Sequence, residues 1–241
     1  MNHPARRPFP AGAGIFETLR TDGGRVAEFG RHMRRALSAS QALGIRMPSE
    51  ESLRVEVERV LQENPFQLGR LRICIGKDSL TITHDEYVEV SETGFLTFSP
   101  HTSKAKGEQF KTYPYDEHYV VVDEARAHGF DDAIIFNNQN NVTETGLSNI
   151  AFHLDGEWVT PPISAGILPG IMRGIAIERC GVVVRNIHIT QVPQAREIVL
   201  LGSLKIVQPV QQIGEMRIEC GEVAQSFAAQ MREKVEYFSV G

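Results

Sequence analysis

The sequence predicts a mixed fold, part α+β and part α/β, with sheets that carry helices on their faces. Three observations carry this expectation. Short runs rich in β-branched and aromatic residues recur along the chain. Between them lie stretches whose apolar residues repeat at helical spacing. Gly, Pro, Asn and Asp clusters separate the two kinds of segment.

Ile15–Arg20 and Arg25–Phe29 read as strands joined by the turn Thr21-Asp22-Gly23-Gly24. A helix is expected from about Arg31 to Leu43, with Met33, Ala36, Leu37, Ser40 and Leu43 on its buried face and Gly44 at its end. Ser49 is a candidate N-cap for a second helix through about Leu61, whose inward stripe is Leu53, Val57, Val60 and Leu61. Strands follow at Leu71–Ile75, Leu80–His84 and Gly94–Ser99, with a further one around Tyr87–Val90. The N-terminal third therefore reads as helices against an antiparallel sheet.

Pro100 to Gln109 is polar and poor in apolar residues, the best candidate for a linker. It divides the chain into a smaller unit, 1–104, and a larger one, 105–241. Beyond it, a helix is expected from about Glu117 to His128, ended by Gly129. Ala133–Phe136 and Asn141–Glu144 flank a turn of Asn137-Asn138-Gln139-Asn140. Ile150–Leu154 and Glu157–Thr160 form a hairpin around Asp155-Gly156. A helix opening at Gly170 runs to about Cys180 and stops at Gly181, and Val182–Ile189 reads as a strand. Ile198–Leu201 and Val207–Val210 are strands. A last helix spans about Glu222 to Tyr237, with Val223, Phe227, Met231 and Val235 inward.

The 241 residues, 41% apolar and with a net charge of -5, suffice for a sizeable core and give no sign of disorder or of a nucleic-acid-binding surface. Cys74, Cys180 and Cys220 are widely spaced and form no CxxC pair, so neither a disulfide framework nor a metal site is expected. No apolar run has the length of a signal peptide or a membrane span, and the expected location is the cytoplasm.

Candidates for chemistry are few. Gly166–Arg173 (GILPGIMR) places Gly and Pro at a helix start. It is either a plain structural turn or a set of free N–H groups at the positive end of a helix dipole, suited to an anion. Leu201–Leu204 (LGSL) offers a weaker choice of the same kind. Arg35 lies off its helix's apolar stripe, either solvated or a bidentate phosphate grip. Lys111, one of six lysines, lies between Phe110 and Tyr113. It is either a solvated lysine or a desolvated amine nucleophile. Glu144 sits among small polar residues, where a surface carboxylate is the plain alternative.

The order of these pieces resembles the fold-type IV pyridoxal-phosphate enzymes, the family of branched-chain and D-amino-acid aminotransferases and 4-amino-4-deoxychorismate lyase. The similar segments are Gly14–Arg20 (GIFETLR), His32–Arg35 (HMRR), Lys111 with Glu124–Gly129 (EARAHG), Glu144–Ile150 (ETGLSNI), Thr160–Pro162 (TPP), Leu168–Arg173 (LPGIMR) and Leu201–Leu204 (LGSL) ahead of Pro209 and Val210. The resemblance implies a two-domain fold like that of D-amino-acid aminotransferase, with pyridoxal 5'-phosphate in the cleft and a homodimer that closes the pocket.

It also implies roles. Lys111 would hold the cofactor as a Schiff base and move the substrate's Cα proton. Glu144 would face the pyridine nitrogen. Arg35, the N–H groups of Ile171 and Met172, and Ser203 with Leu204 would hold the phosphate. Tyr115 would meet the phenolic oxygen, and Asn149 would support the loop near the cofactor. The implied activity is transfer of an amino group between an amino acid and a 2-oxo acid. The alternative is release of pyruvate and 4-aminobenzoate from aminodeoxychorismate. The spacing from Lys111 to Glu124 resembles the lyase and D-amino-acid branches, whereas Tyr115 resembles the branched-chain one. Gly76–Leu80 (GKDSL) lacks the arginine-rich loop that grips the substrate carboxylate in several subfamilies, and Ala13 replaces a residue that shapes their substrate pocket.

Overall fold

The structure is a computed structural model that describes residues 8–89 and 93–240. Its first half runs β1 (Gly14–Asp22), β2 (Arg25–Ala27), α1 (Phe29–Leu43), α2 (Glu50–Glu63), β3 (Leu68–Gly76), β4 (Leu80–Glu86), β5 (Gly94–Ser103), β6 (Thr112–Tyr113) and α3 (Asp116–Ala127). The second half runs β7 (Asp132–Asn137), β8 (Val142–Thr145), β9 (Asn149–Leu154), β10 (Glu157–Thr160), α4 (Ile171–Cys180), β11 (Val183–Val184), β12 (Glu197–Gly202), β13 (Ile206–Ile213), β14 (Met216–Arg217), α5 (Glu222–Lys234) and β15 (Tyr237–Phe238).

These strands form two sheets. The first has the order β15-β2-β1-β3-β4, with β6 also on β1, and all its pairings are antiparallel. Helices α1 and α2 cover one face, where Met33, Ala36, Leu53 and Val57 meet Ile15, Leu19, Leu71 and Ile73. The second sheet has the order β11-β10-β9-β12-β13-β5-β7-β8, with β14 on β13. It is mixed, since β10 with β11, β13 with β5, and β5 with β7 run parallel. Its central strands are apolar on both sides. Val199 and Leu201 face α4 and α5, while Ile198 and Leu200 face a second cluster with Ile150 and Phe152. Burial of both faces explains why β12 reads as a continuous apolar run rather than an alternation.

Local signals in the sequence account for most boundaries. The Ser49 side chain accepts the Ser52 N–H at 3.2 Å and caps α2. Asp155 and Gly156 have φ of 55° and 86°, the left-handed pair that a two-residue hairpin needs.

Several expectations need correction. Phe29 starts α1 instead of ending β2, because Glu28 adopts φ 51° and breaks the strand. Leu37 and Leu43 are each 44% exposed. The buried face of α1 is instead Phe29, His32, Met33, Ala36, Ala39 and Ser40, rotated from the expected stripe. Tyr87–Glu89 form no strand, and Val90 lies outside the described residues. β5 does not join the N-terminal strands. It enters the second sheet and extends through Pro100–Ser103, the start of the expected linker. Of Val182–Ile189 only Val183–Val184 pair, and a short 3-10 turn begins at Ile189. α5 ends at Lys234, Val223 is only half-buried, and Tyr237 turns back as β15 onto the first sheet.

Candidate active site

Lys111 is set by a strand pairing. β6 runs antiparallel to the start of β1, with Thr112 opposite Ile15, and the Phe16 N–H donates to the Lys111 carbonyl at 2.9 Å. The register brings the Lys111 amine over the Phe16 ring, 4.5 Å from its centroid, and 4.8 Å from that of Tyr115. The enclosing rings are therefore Phe16 and Tyr115, not the sequence neighbours Phe110 and Tyr113. Phe110 packs instead against the cluster under α1 and α2. Burial, reinforced by the nearby Arg35 guanidinium, lowers the Lys111 amine to about 8 against the partial opposition of Glu17 and Glu144. About a tenth of such an amine is unprotonated and nucleophilic at neutrality, rising to about half one pH unit higher.

Glu144 is the penultimate residue of β8, and Asn149 opens β9. The turn between them is pinned by Asp132, whose carboxylate accepts Thr145 Oγ1 at 2.8 Å, the Gly146 N–H at 2.9 Å and the Leu147 N–H at 3.1 Å. Glu144 accepts Asn149 Nδ2 at 2.9 Å and the Leu168 N–H at 3.2 and 3.3 Å. Burial raises its carboxyl to about 8, because the Leu168 N–H and the more distant Lys111 and Arg173 charges only partly offset the loss of water.

Asn149 also donates to the Leu168 carbonyl at 3.0 Å. Its Oδ1 lies 1.8 Å from where a Cβ on residue 170 would stand, so Gly170 permits this close passage at the entrance to α4. No side chain caps α4. The N–H groups of Ile171 and Met172, its first two residues, are thus among the orphan donors of a helix start.

Arg35 reaches the same loop from α1, the helix packed on the first sheet. Its Nε and Nη2 donate to Glu17 on β1, at 2.8 and 2.5 Å, and its Nη1 donates to the Pro169 carbonyl at 3.2 Å. Glu17 also accepts His32 Nδ1 at 2.6 Å. Burial alone would raise Glu17, but the charges and hydrogen bonds of Arg35 and His32 outweigh it and hold the carboxyl at about 2. Burial lowers His32, whose Nε2 is buried without a hydrogen-bond partner among the described residues.

Lys111, Glu144, Asn149, Arg35, Tyr115 and the start of α4 therefore converge between the two sheets. Tyr115 is buried edge-on to Phe16 and face-to-face with His118, their centroids 4.0 Å apart, and burial pushes its phenol up. Ser203 and Leu204 stand in the turn after β12, which the first sheet holds through Arg20 Nη1 on the Leu204 carbonyl at 2.6 Å. Adjacent Gly202 lies against Ser148 Oγ, a buried hydroxyl without a hydrogen-bond partner among the described residues.

Sequence reasoning missed Glu17, His32, Asp132, Ser148 and Arg72. Arg72, on β3 opposite Thr18, lies over the Phe16 ring at 5.7 Å, the ring that also faces Lys111. Two signals were present. An acid stands inside the run IFETLR, where both faces of the strand are buried. His32 and Arg35 also share a helix face at i, i+3.

With this geometry in place, likeness to known proteins has a physical meaning. The family model for amino-transferase class IV matches residues 14–213. The chain belongs to the class IV aminotransferase family. A Schizosaccharomyces pombe protein assigned as an aminodeoxychorismate lyase is 24% identical over 169 residues, 68% of this chain and 73% of that one. A Rickettsia felis protein assigned as a branched-chain-amino-acid aminotransferase is 27% identical over 188 residues, 68% of this chain, which spans only 63% of that protein's length. A solved structure described as a hypothetical aminotransferase from Mycobacterium tuberculosis, in PLP-bound form, superposes with a TM-score of 0.80 at 19% identity, covering 97% of this chain and 95% of that one. At that identity the superposition speaks for the fold.

Proposed function

We propose that this chain is a pyridoxal-phosphate-dependent aminotransferase that moves an amino group between an amino acid and a 2-oxo acid, with Lys111 as its reaction centre. The observation that carries the reading is the Lys111 amine set over the Phe16 and Tyr115 rings, lowered to about 8 and within the fields of Arg35 and Glu144.

The residues fit the cofactor. The start of α4 is uncapped, Ser148 Oγ is orphaned, and Arg35 reaches the same loop; together they make a cradle for a phosphate. Ile171, Met172, Ser203 and Leu204 would add backbone or hydroxyl donors. Glu144, raised to about 8 for want of a full positive partner, would face a pyridine nitrogen and keep it protonated. Tyr115 would donate to the phenolic oxygen, and Asn149 would keep Glu144 in place. Bound pyridoxal phosphate supplies an electron sink for the pair left when the substrate's Cα loses a proton. Lys111 would bind the cofactor, then take that proton and return it. Phe16 and Tyr115 would flank the amine of this partly exposed lysine with apolar rings. A homodimer in the cytoplasm belongs to the same reading.

The purified protein is expected to be yellow, and borohydride should fix the cofactor to the peptide that holds Lys111. A panel of L- and D-amino acids should convert the chromophore to its amine form, bleaching the yellow band. A colourless protein that takes up no pyridoxal phosphate would sink the proposal. Pyruvate release from aminodeoxychorismate without bleaching would replace transamination by the lyase reaction. Light scattering at the mass of two chains is the expected result for the dimer.

A further inference from the structure

His118 stands in the first turn of α3, and Tyr115 is the residue just before that helix. The i, i+3 spacing brings their rings to one side. The imidazole lies flat on the phenol, with centroids 4.0 Å apart and 7° between the planes. Phe16 and Tyr119 meet the same phenol edge-on, at 5.1 and 5.7 Å. The Lys111 amine is 4.8 Å from its centroid.

His118 also holds the turn that follows Glu144. Its Nδ1 lies 3.1 Å from the Gly146 carbonyl oxygen. A carbonyl only accepts, so Nδ1 carries the proton. Burial and the Lys111 charge hold the imidazole down at about 4, so the stacked ring is neutral near neutrality. The turn itself is pressed against α3. A Cβ on residue 146 would come 2.6 Å from Val122 Cγ2 and 3.1 Å from the His118 carbonyl oxygen. One imidazole thus joins the phenol beside Lys111 to the turn between Glu144 and Asn149.

We propose that His118 is a positioning residue that fixes the plane of the Tyr115 ring and so aims its hydroxyl at the cofactor's phenolic oxygen. This rests on the reading of Lys111 and Tyr115 as cofactor contacts. A phenol free to turn would spend part of its time away from that oxygen. Stacking on a flat neighbour removes this freedom, and the bond to Gly146 stops the neighbour itself from turning. The aimed hydroxyl draws negative charge from the phenolic oxygen. It thereby loosens the proton on the nitrogen that links Lys111 to the cofactor.

Absorbance titration of the cofactor-loaded protein reads that proton as the pH midpoint of the yellow band. H118A should raise the midpoint by about half to one pH unit, the share of one hydrogen bond. H118N keeps a donor for Gly146 without the ring and should shift likewise, which secures the result if H118A folds poorly. H118F keeps the stacked ring and should hold the wild-type midpoint. Y115F should raise the midpoint at least as far as H118A, and Y115F/H118A should move no further than Y115F. An imidazole that only braces the fold would lower the melting temperature and leave the midpoint in place. That outcome, an H118F shift equal to that of H118A, or a double variant that moves beyond Y115F would overturn the proposal. A colourless wild type would overturn the cofactor reading and this inference with it. A yellow H118A with the wild-type midpoint would overturn this inference alone.

Discussion

Glu17 and Glu144 are both buried at the site, yet their protons behave oppositely. Glu17, between Arg35 and His32, is held at about 2. Glu144, which accepts only neutral N–H groups, is raised to about 8. Loss of water raises both; a contacting cation reverses the outcome for one of them. The first carboxylate is internally compensated and serves to hold an arginine. Among the described residues no cation contacts the second, which is the electrostatic state expected of a residue that meets a cationic ligand group.

The largest way to disturb this contrast is to remove Lys111. K111A should lower transamination by on the order of 10²–10⁴, measured by single-turnover bleaching, since the proton-transfer group is lost. Next, E17A leaves the Arg35 and His32 cluster without its anion. A loss of about 3–5 kcal/mol is expected in urea unfolding. The pH dependence follows the same logic. Glu17 has a folded pKa below its ordinary 4.5, so its contribution is full above 4.5 and is lost as pH falls toward about 2. Wild type should lose stability through that window, and E17Q should show a flatter profile.

Glu144 reverses the sign. Its folded pKa lies above 4.5, so the folded protein binds the extra proton between pH 4.5 and about 8, and stability falls as pH rises through that range. Cofactor-free E144Q should match wild type near pH 4.5 and melt higher near pH 8, by a few degrees, roughly what 1–2 kcal/mol gives in a chain of this size. The same variant should lose activity once loaded. An E144Q melting curve with the wild-type pH slope would break the comparison. The smallest effect is expected from R35K, which keeps the charge but loses the fork on Glu17. Pyridoxal-phosphate affinity, read by equilibrium dialysis, should weaken about tenfold, with little change for pyridoxal lacking the phosphate.

Much of the molecule was legible in one dimension because local chemistry decides it. Ser49, the Asp155-Gly156 pair, Gly44 and Gly181 mark boundaries that the structure keeps. The convergence of Lys111, Glu144, Asn149 and the Gly170 helix start was legible only through the joint order of motifs. What escaped depends on pairing across the chain. The aromatic box around Lys111 comes from Phe16, 95 residues earlier, through the β1–β6 register. The destination of β5 is set by parallel partners at β7 and β13, and no turn signal announces a parallel neighbour. Glu17, an acid in a doubly buried strand, could have been flagged by its surroundings alone.

The first sheet gathers strands far apart in the sequence, with β15 closing the free edge of β2 through Tyr237–Ala27 and Phe238–Val26 pairing. During synthesis that edge must wait until Tyr237 and Phe238 emerge, far along the chain from β2. A chain that has not yet docked β15 would present β2 as an unpaired template for strand addition.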